Sequence, residues 1–217
     1  MRFSLLFPEK REFFLENAGL FDFGGADKIL AAELVRAQDI ASIAELAANL
    51  THADVNIHSY CIKTPYELGF LAPELLTPHV LTFLEQLSSK NNRMVWGCMY
   101  ALGCIAHLEP ETIYAHLEKV QKAVSSGSVI TVDNAVLVLA QVAAHVPASR
   151  AVLIPQLYEH LRPCRIKELA QHAEKILPAM LDEHAVKFRT LLESRLRDAS
   201  PSQSAKIKKV IKGIPCA

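Results

Sequence analysis

The sequence predicts an all-α fold, a right-handed α-solenoid of about five stacked helical hairpins, and three observations carry that reading. From Asp27 onward apolar residues recur at spacings of three and four, the period of one face of a helix. Short breakers built on Pro, Gly, Ser and Asn interrupt the pattern, and strand signals are nearly absent. Trp96, Asn134 and His172 fall at one constant interval on successive helices, as do Leu102, Ala140 and Pro178. A single hairpin cannot bury both of its apolar faces, so hairpins in such a register must stack.

Taken in order, Ile29, Leu30, Leu34, Ile40 and Leu46 mark a first hairpin. CIKTPYELGF opens the next unit, with Leu68-Gly69 standing where Leu102-Gly103 stands later. NNRMVWGCMYALGCIAHL predicts a helix from about Asn92 to His107, a break at Glu109-Pro110, then a helix to about Val124. SVITVDNAVLVLAQVAAHV repeats the plan and breaks at Pro147, and SRAVLIPQLYEHL breaks at Arg162-Pro163. Inner helices should therefore begin near Asp54, Asn92, Val132, Lys167 and Ser202, the last leading into SAKIKKVIKGI. Gly97, Cys98, Ala101, Gly103, Ala135, Ala140 and Ala143 sit where helices must approach closely. Pro65, Pro155 and Pro178 lie inside helical patterns and should kink their helices.

The 217 residues, 51% of them hydrophobic, suffice for one such domain over 26–217. Lys plus Arg balances Asp plus Glu at 23 each, so no global field gathers nucleic acid or an anionic membrane. Five cysteines with no zinc-type spacing read as reduced, buried thiols of a cytoplasmic protein. No apolar run is long enough for a membrane helix, and no membrane partner is expected. Residues 1–25 differ in character: Phe3, Phe7, Phe13, Phe14, Phe21 and Phe23 are six of the nine phenylalanines. They form an aromatic arm expected to lie as an irregular or partly helical flap on the first hairpin, or to move freely.

The strings CIKTPYELGFLAPELL, NNRMVWGCMYAL, GSVITVDNAVLVLAQVA and ELAQHAEKIL resemble a family of small bacterial HEAT-repeat proteins over about residues 54 to 182. The resemblance implies HEAT-like hairpins and, since such repeats generally serve as scaffolds, a binding role rather than a defined activity. FPEKREFFLENAGLFDFG, within about residues 2 to 24, resembles a short signature segment of large bacterial outer-membrane proteins with a sugar-binding-like β-domain. No function is carried over from it.

Three enzyme classes built on similar repeats set requirements that can be checked in the residues. Di-iron hydroxylases of this kind need His-Glu pairs, and none of the nine histidines is followed by Glu. Alkylpurine glycosylases need aromatic walls and a basic groove, poorly met by one tryptophan and zero net charge. Bilin lyases need a concave tetrapyrrole pocket, which the sequence neither displays nor forbids. Cys98 and Cys104 lack a neighbouring base and read as core, and the histidines read as dispersed near helix ends, with no convergent metal set. No catalytic residue, cofactor or metal is therefore expected.

The candidate partner-binding residues are Arg93, Trp96, Tyr100, Asp133, Asn134, Gln171 and His172, a column on the expected concave face. Asn91, Asn92, Thr131, Asp133 and Asn134 also suit a structural role, capping helices and reaching an Arg one repeat away. The expected function is a non-enzymatic protein-protein interaction scaffold with an unidentified protein partner. The alternative is a HEAT-like nucleic-acid-binding protein or DNA glycosylase. A basic C-terminus of Lys187, Arg189, Arg195, Arg197, Lys206, Lys208, Lys209 and Lys212 reads as a solvated terminal cap, with nucleic acid as the sharper possibility.

Overall fold

The computed structural model describes residues 26–54, 57–58 and 61–215, and the expectations for the aromatic arm lie outside them. Along the chain run α1 (Ala26–Ala37), α2 (Ile40–Ala48), α3 (Lys63–Leu71), α4 (Val80–Gln86), α5 (Asn92–Ile105) and α6 (Pro110–Ala115). They are followed by α7 (Leu117–Ser126), α8 (Val129–His145), α9 (Arg150–Leu161), α10 (Ile166–Ile176), α11 (Asp182–Ser194) and α12 (Pro201–Lys212). Short 3-10 turns link several of them, and no strand occurs among the described residues. None of these helices is long and apolar enough to cross a membrane.

The architecture is a right-handed α-solenoid of HEAT-like hairpins. Helices α1, α3, α5, α8, α10 and α12 pack each on the next to form one layer. The intervening helices form a second layer, with α4 against α6 and α7, and α9 on α8 and α10. The core lies between the layers as one continuous cluster, running from Leu30 and Leu34 through Phe83, Met99, Val138, Leu157 and Phe188 to Ile207 and Ile214.

Helix starts follow local chemistry. Asn91 caps α5, its side chain accepting the Arg93 N–H, and Ser128 caps α8 by accepting the Thr131 N–H at 3.3 Å. Ser200 and Gln203 form a reciprocal capping box at α12, with Pro201 at the first helical position. The second-layer helix expected to run to Val124 is instead broken at His116, whose Nδ1 lies 3.0 Å from the Thr112 carbonyl oxygen and so competes for an acceptor of the helical ladder.

The prolines differ from one another. Pro65 is the third residue of α3 and follows an interruption at Ile62, before which His58 and Cys61 are also helical, so the helical path breaks just ahead of this proline. Pro178 lies in the 3-10 turn Leu177–Ala179 that ends α10. Pro155 alone stays inside a helix, on the exposed side of α9.

Close approach of α3 and α5 depends on glycine. A Cβ on Gly97 would sit 2.5 Å from Ile62 Cγ1, and one on Gly69 2.8 Å from Cys104 Cβ. Gly103 differs: its Cβ would meet Leu137 at an ordinary 3.4 Å.

Candidate functional site

The first layer presents an aromatic cluster where α3 meets α5. The Tyr66 ring lies 6.2 Å from Trp96 and 5.3 Å, edge-on, from Tyr100. Phe70, one helical turn beyond Tyr66, is 77% exposed. Arg93, one turn before Trp96, is exposed, while Trp96 and Tyr100 are half-buried. On α8 the Asn134 amide donates to the Trp96 carbonyl at 3.4 Å across the 38-residue interval, so the register seen in sequence is a direct bond between successive helices of the first layer. Gln171 on α10 is exposed, and Asp133 and Asn134 are half-buried.

His172 departs from the expected column. Its ring is 2% exposed, so it lies beneath the surface instead of lining it. Its Nε2 donates to Asp133 Oδ1 at 3.2 Å, and Lys175 Nζ donates to the Asp133 carbonyl at 2.6 Å. The ladder between repeats therefore exists, but Asp133 reaches His172 and Lys175 rather than an Arg, and it does not cap its helix. A similar rung joins Asn91 Nδ2 and His58 Nε2 at 2.9 Å.

Behind this rung lies a convergence that the dispersed histidines of the sequence do not announce. His160 at the end of α9, Cys164 in the following turn and His172 on α10 bring one nitrogen, one sulfur and one nitrogen within 4.8 Å of one another. His160 Nε2 and His172 Nδ1 are 2.8 Å apart, and Cys164 Sγ is 3.5 Å from the same Nδ1. Burial, reinforced by the facing His172, lowers the pKa of His160. Burial also lowers His172, a shift that Asp133 opposes and Lys175 reinforces. Both shifts favour the neutral imidazole. Burial, with Glu168 nearby, raises the Cys164 thiol, against the pull of Arg195. The sequence signal was partial: the register marked His172, but only the reversal at Arg162-Pro163 brings His160 and Cys164 to it.

The other described thiols are inert. Burial pushes Cys61 up to about 12 and Cys104 up to about 11, and raises Cys98 as well, which favours the protonated thiol at each of these three. His116 and His145 each face a carbonyl one turn back, as expected of helix-end imidazoles.

The basic C-terminus is partly spent inside the fold. Arg195 donates to the carbonyls of Leu161, Arg162 and Cys164, and Arg189 to those of Ile211 and Ile214. Lys187 lies 4.9 Å over the Tyr158 ring. Lys206, Lys208, Lys209 and Lys212 remain as an exposed face of α12.

No family model matches the chain, and no curated protein matches it. Solved structures do. A designed armadillo repeat protein superposes with a TM-score of 0.64 at 14% identity, covering 87% of both chains. A second, solved in complex with the peptide (KR)4, gives 0.69 at 13% identity over 96% of this chain and 94% of its own. An engineered protein gives 0.61 at 14% identity over 88% and 92%. At such identities the likeness concerns the fold, which is that of armadillo-like and HEAT-like helical repeats.

Proposed function

We propose that this chain is a non-enzymatic scaffold that takes an extended protein segment along its first-helix layer. The observation that carries the reading is the cluster of Tyr66, Trp96 and Tyr100, flanked by Arg93, Asn134 and Gln171. Tryptophan, tyrosine and arginine are the side chains that most often dominate binding energy. The amide side chains of Asn134 and Gln171, on successive first-layer helices, suit the N–H and C=O groups of an extended backbone. The reading is supported by the designed armadillo repeat protein that carries a bound peptide on the same fold. The nucleic-acid alternative loses weight because Arg189 and Arg195 are turned inward onto backbone carbonyls.

The test is selection of peptides from a displayed library against the full chain. Enriched peptides should lose at least tenfold in affinity on Trp96→Ala and on Asn134→Ala, with helical circular dichroism retained, and none on Lys208→Ala. Peptides indifferent to Trp96→Ala would remove the site, and failure to enrich any peptide would count against the scaffold itself.

A further inference from the structure

We propose that His160, Cys164 and His172 form a site for one zinc ion, bound through His160 Nε2, Cys164 Sγ and His172 Nδ1. The site lies where the end of α9 folds back onto α10. Its donors, two imidazoles and a thiolate, are of the type zinc prefers, and their atoms already converge within 4.8 Å. Tetrahedral zinc with ordinary bond lengths separates two nitrogens by about 3.4 Å and a nitrogen from a sulfur by about 3.5 Å. The Cys164–His172 separation of 3.5 Å meets this as it stands, and the His160–His172 separation of 2.8 Å must open by about half an ångström. His160, the half-buried member, is the one placed to move.

The surroundings favour the ion twice over. Asp133 accepts from His172 Nε2, which fixes the tautomer and leaves the Nδ1 lone pair directed at His160 and Cys164. This carboxylate–histidine arrangement is the usual outer support of a zinc ligand. Arg195, donating at 2.8 Å to the Cys164 carbonyl, holds the turn that carries the sulfur. Without the ion, His160 Nε2–H is the donor to His172 Nδ1. On binding, His160 moves that proton to its own Nδ1, Cys164 gives up its S–H proton to solvent, and three protein bonds to the metal form. The net release is one proton, with no change in oxidation state. Among the described residues three donors converge, and water or a further donor completes the tetrahedron.

The full chain, stripped with chelator and dialysed, is titrated with zinc against a chromophoric competitor and, separately, with cobalt(II). We expect one equivalent per chain, a higher thermal transition with zinc, tetrahedral d–d bands and a near-ultraviolet thiolate-to-cobalt band. Cys164→Ser should abolish the thiolate band. His160→Gln, at a half-exposed position that keeps the fold, should weaken zinc binding at least tenfold. Asp133→Asn should weaken it by about 10- to 100-fold, while Cys104→Ala, on α5, changes nothing. Folded wild type that takes up no stoichiometric zinc, or a cobalt spectrum unchanged by Cys164→Ser and an affinity unchanged by His160→Gln, would overturn the assignment.

Discussion

Two glycines on α5 look alike in sequence and differ in what they permit. Gly97→Ala gains about 1 kcal/mol of helix propensity, but its new methyl must displace Ile62 Cγ1 from 2.5 Å. Overpacking of that kind costs about 1–3 kcal/mol, so a net loss of about 1 kcal/mol should appear in the urea midpoint. Gly103→Ala meets Leu137 at 3.4 Å and should gain about 0.5–1 kcal/mol in the same assay. Sequence could mark both as small; only the packing separates them. Asp39, the cap of α2, offers a test with pH. Its carboxylate accepts from the Ser42 hydroxyl at 2.7 Å and the Ser42 N–H at 3.0 Å, which hold its pKa below the ordinary carboxylate value. A depressed carboxylate stabilises the fold above its unfolded pKa and loses that contribution as pH falls through the folded value. Asp39→Ala should therefore cost about 1 kcal/mol at neutral pH, and urea midpoints of wild type and variant should converge in acid.

At the level of elements, the helical period and the constant interval made the repeat legible, because both follow from one face of each helix packing on the previous one. Pro178 was misjudged because a proline inside an apolar period can equally stand at a boundary, and the pattern alone does not show where the backbone ladder ends. His172 was legible as a member of the column and illegible as a buried group, since its partners lie across a chain reversal and on α8. Arg195 shows the same limit: counted in sequence as a surface charge, it fans onto three carbonyls that end α9. Arg195→Met should lower stability by about 2 kcal/mol. Arg195→Lys should recover little, since an ammonium cannot reproduce the planar fork. On α12, with two arginines withdrawn, duplex DNA should bind weakly at low salt and not at physiological ionic strength. Tight binding that persists in salt would contradict this account of the basic face.

For the whole molecule, each first-layer helix packs on its immediate neighbours, so stability accumulates along the stack. The last helix covers α10 with Ile207, Val210 and Ile211, and Ile214 follows it into the core. Burying four such side chains is worth roughly 6–12 kcal/mol, comparable with the whole stability of a typical domain. A chain ending at Asp198 should accordingly unfold without a cooperative transition, or aggregate, in a thermal scan followed by circular dichroism. The covering helix has a second consequence. A stack of near-equivalent layers is an open-ended shape, and molecules joined head to tail would grow into a filament. Here one end shows exposed apolar groups such as Ile29, while the other carries Lys206, Lys208, Lys209 and Lys212. Seating that end on an apolar one would strip four ammonium groups of water, a cost that apolar contact does not return. The lysines of α12 thus act as a gatekeeper at that end of the stack, opposing the addition of another apolar face.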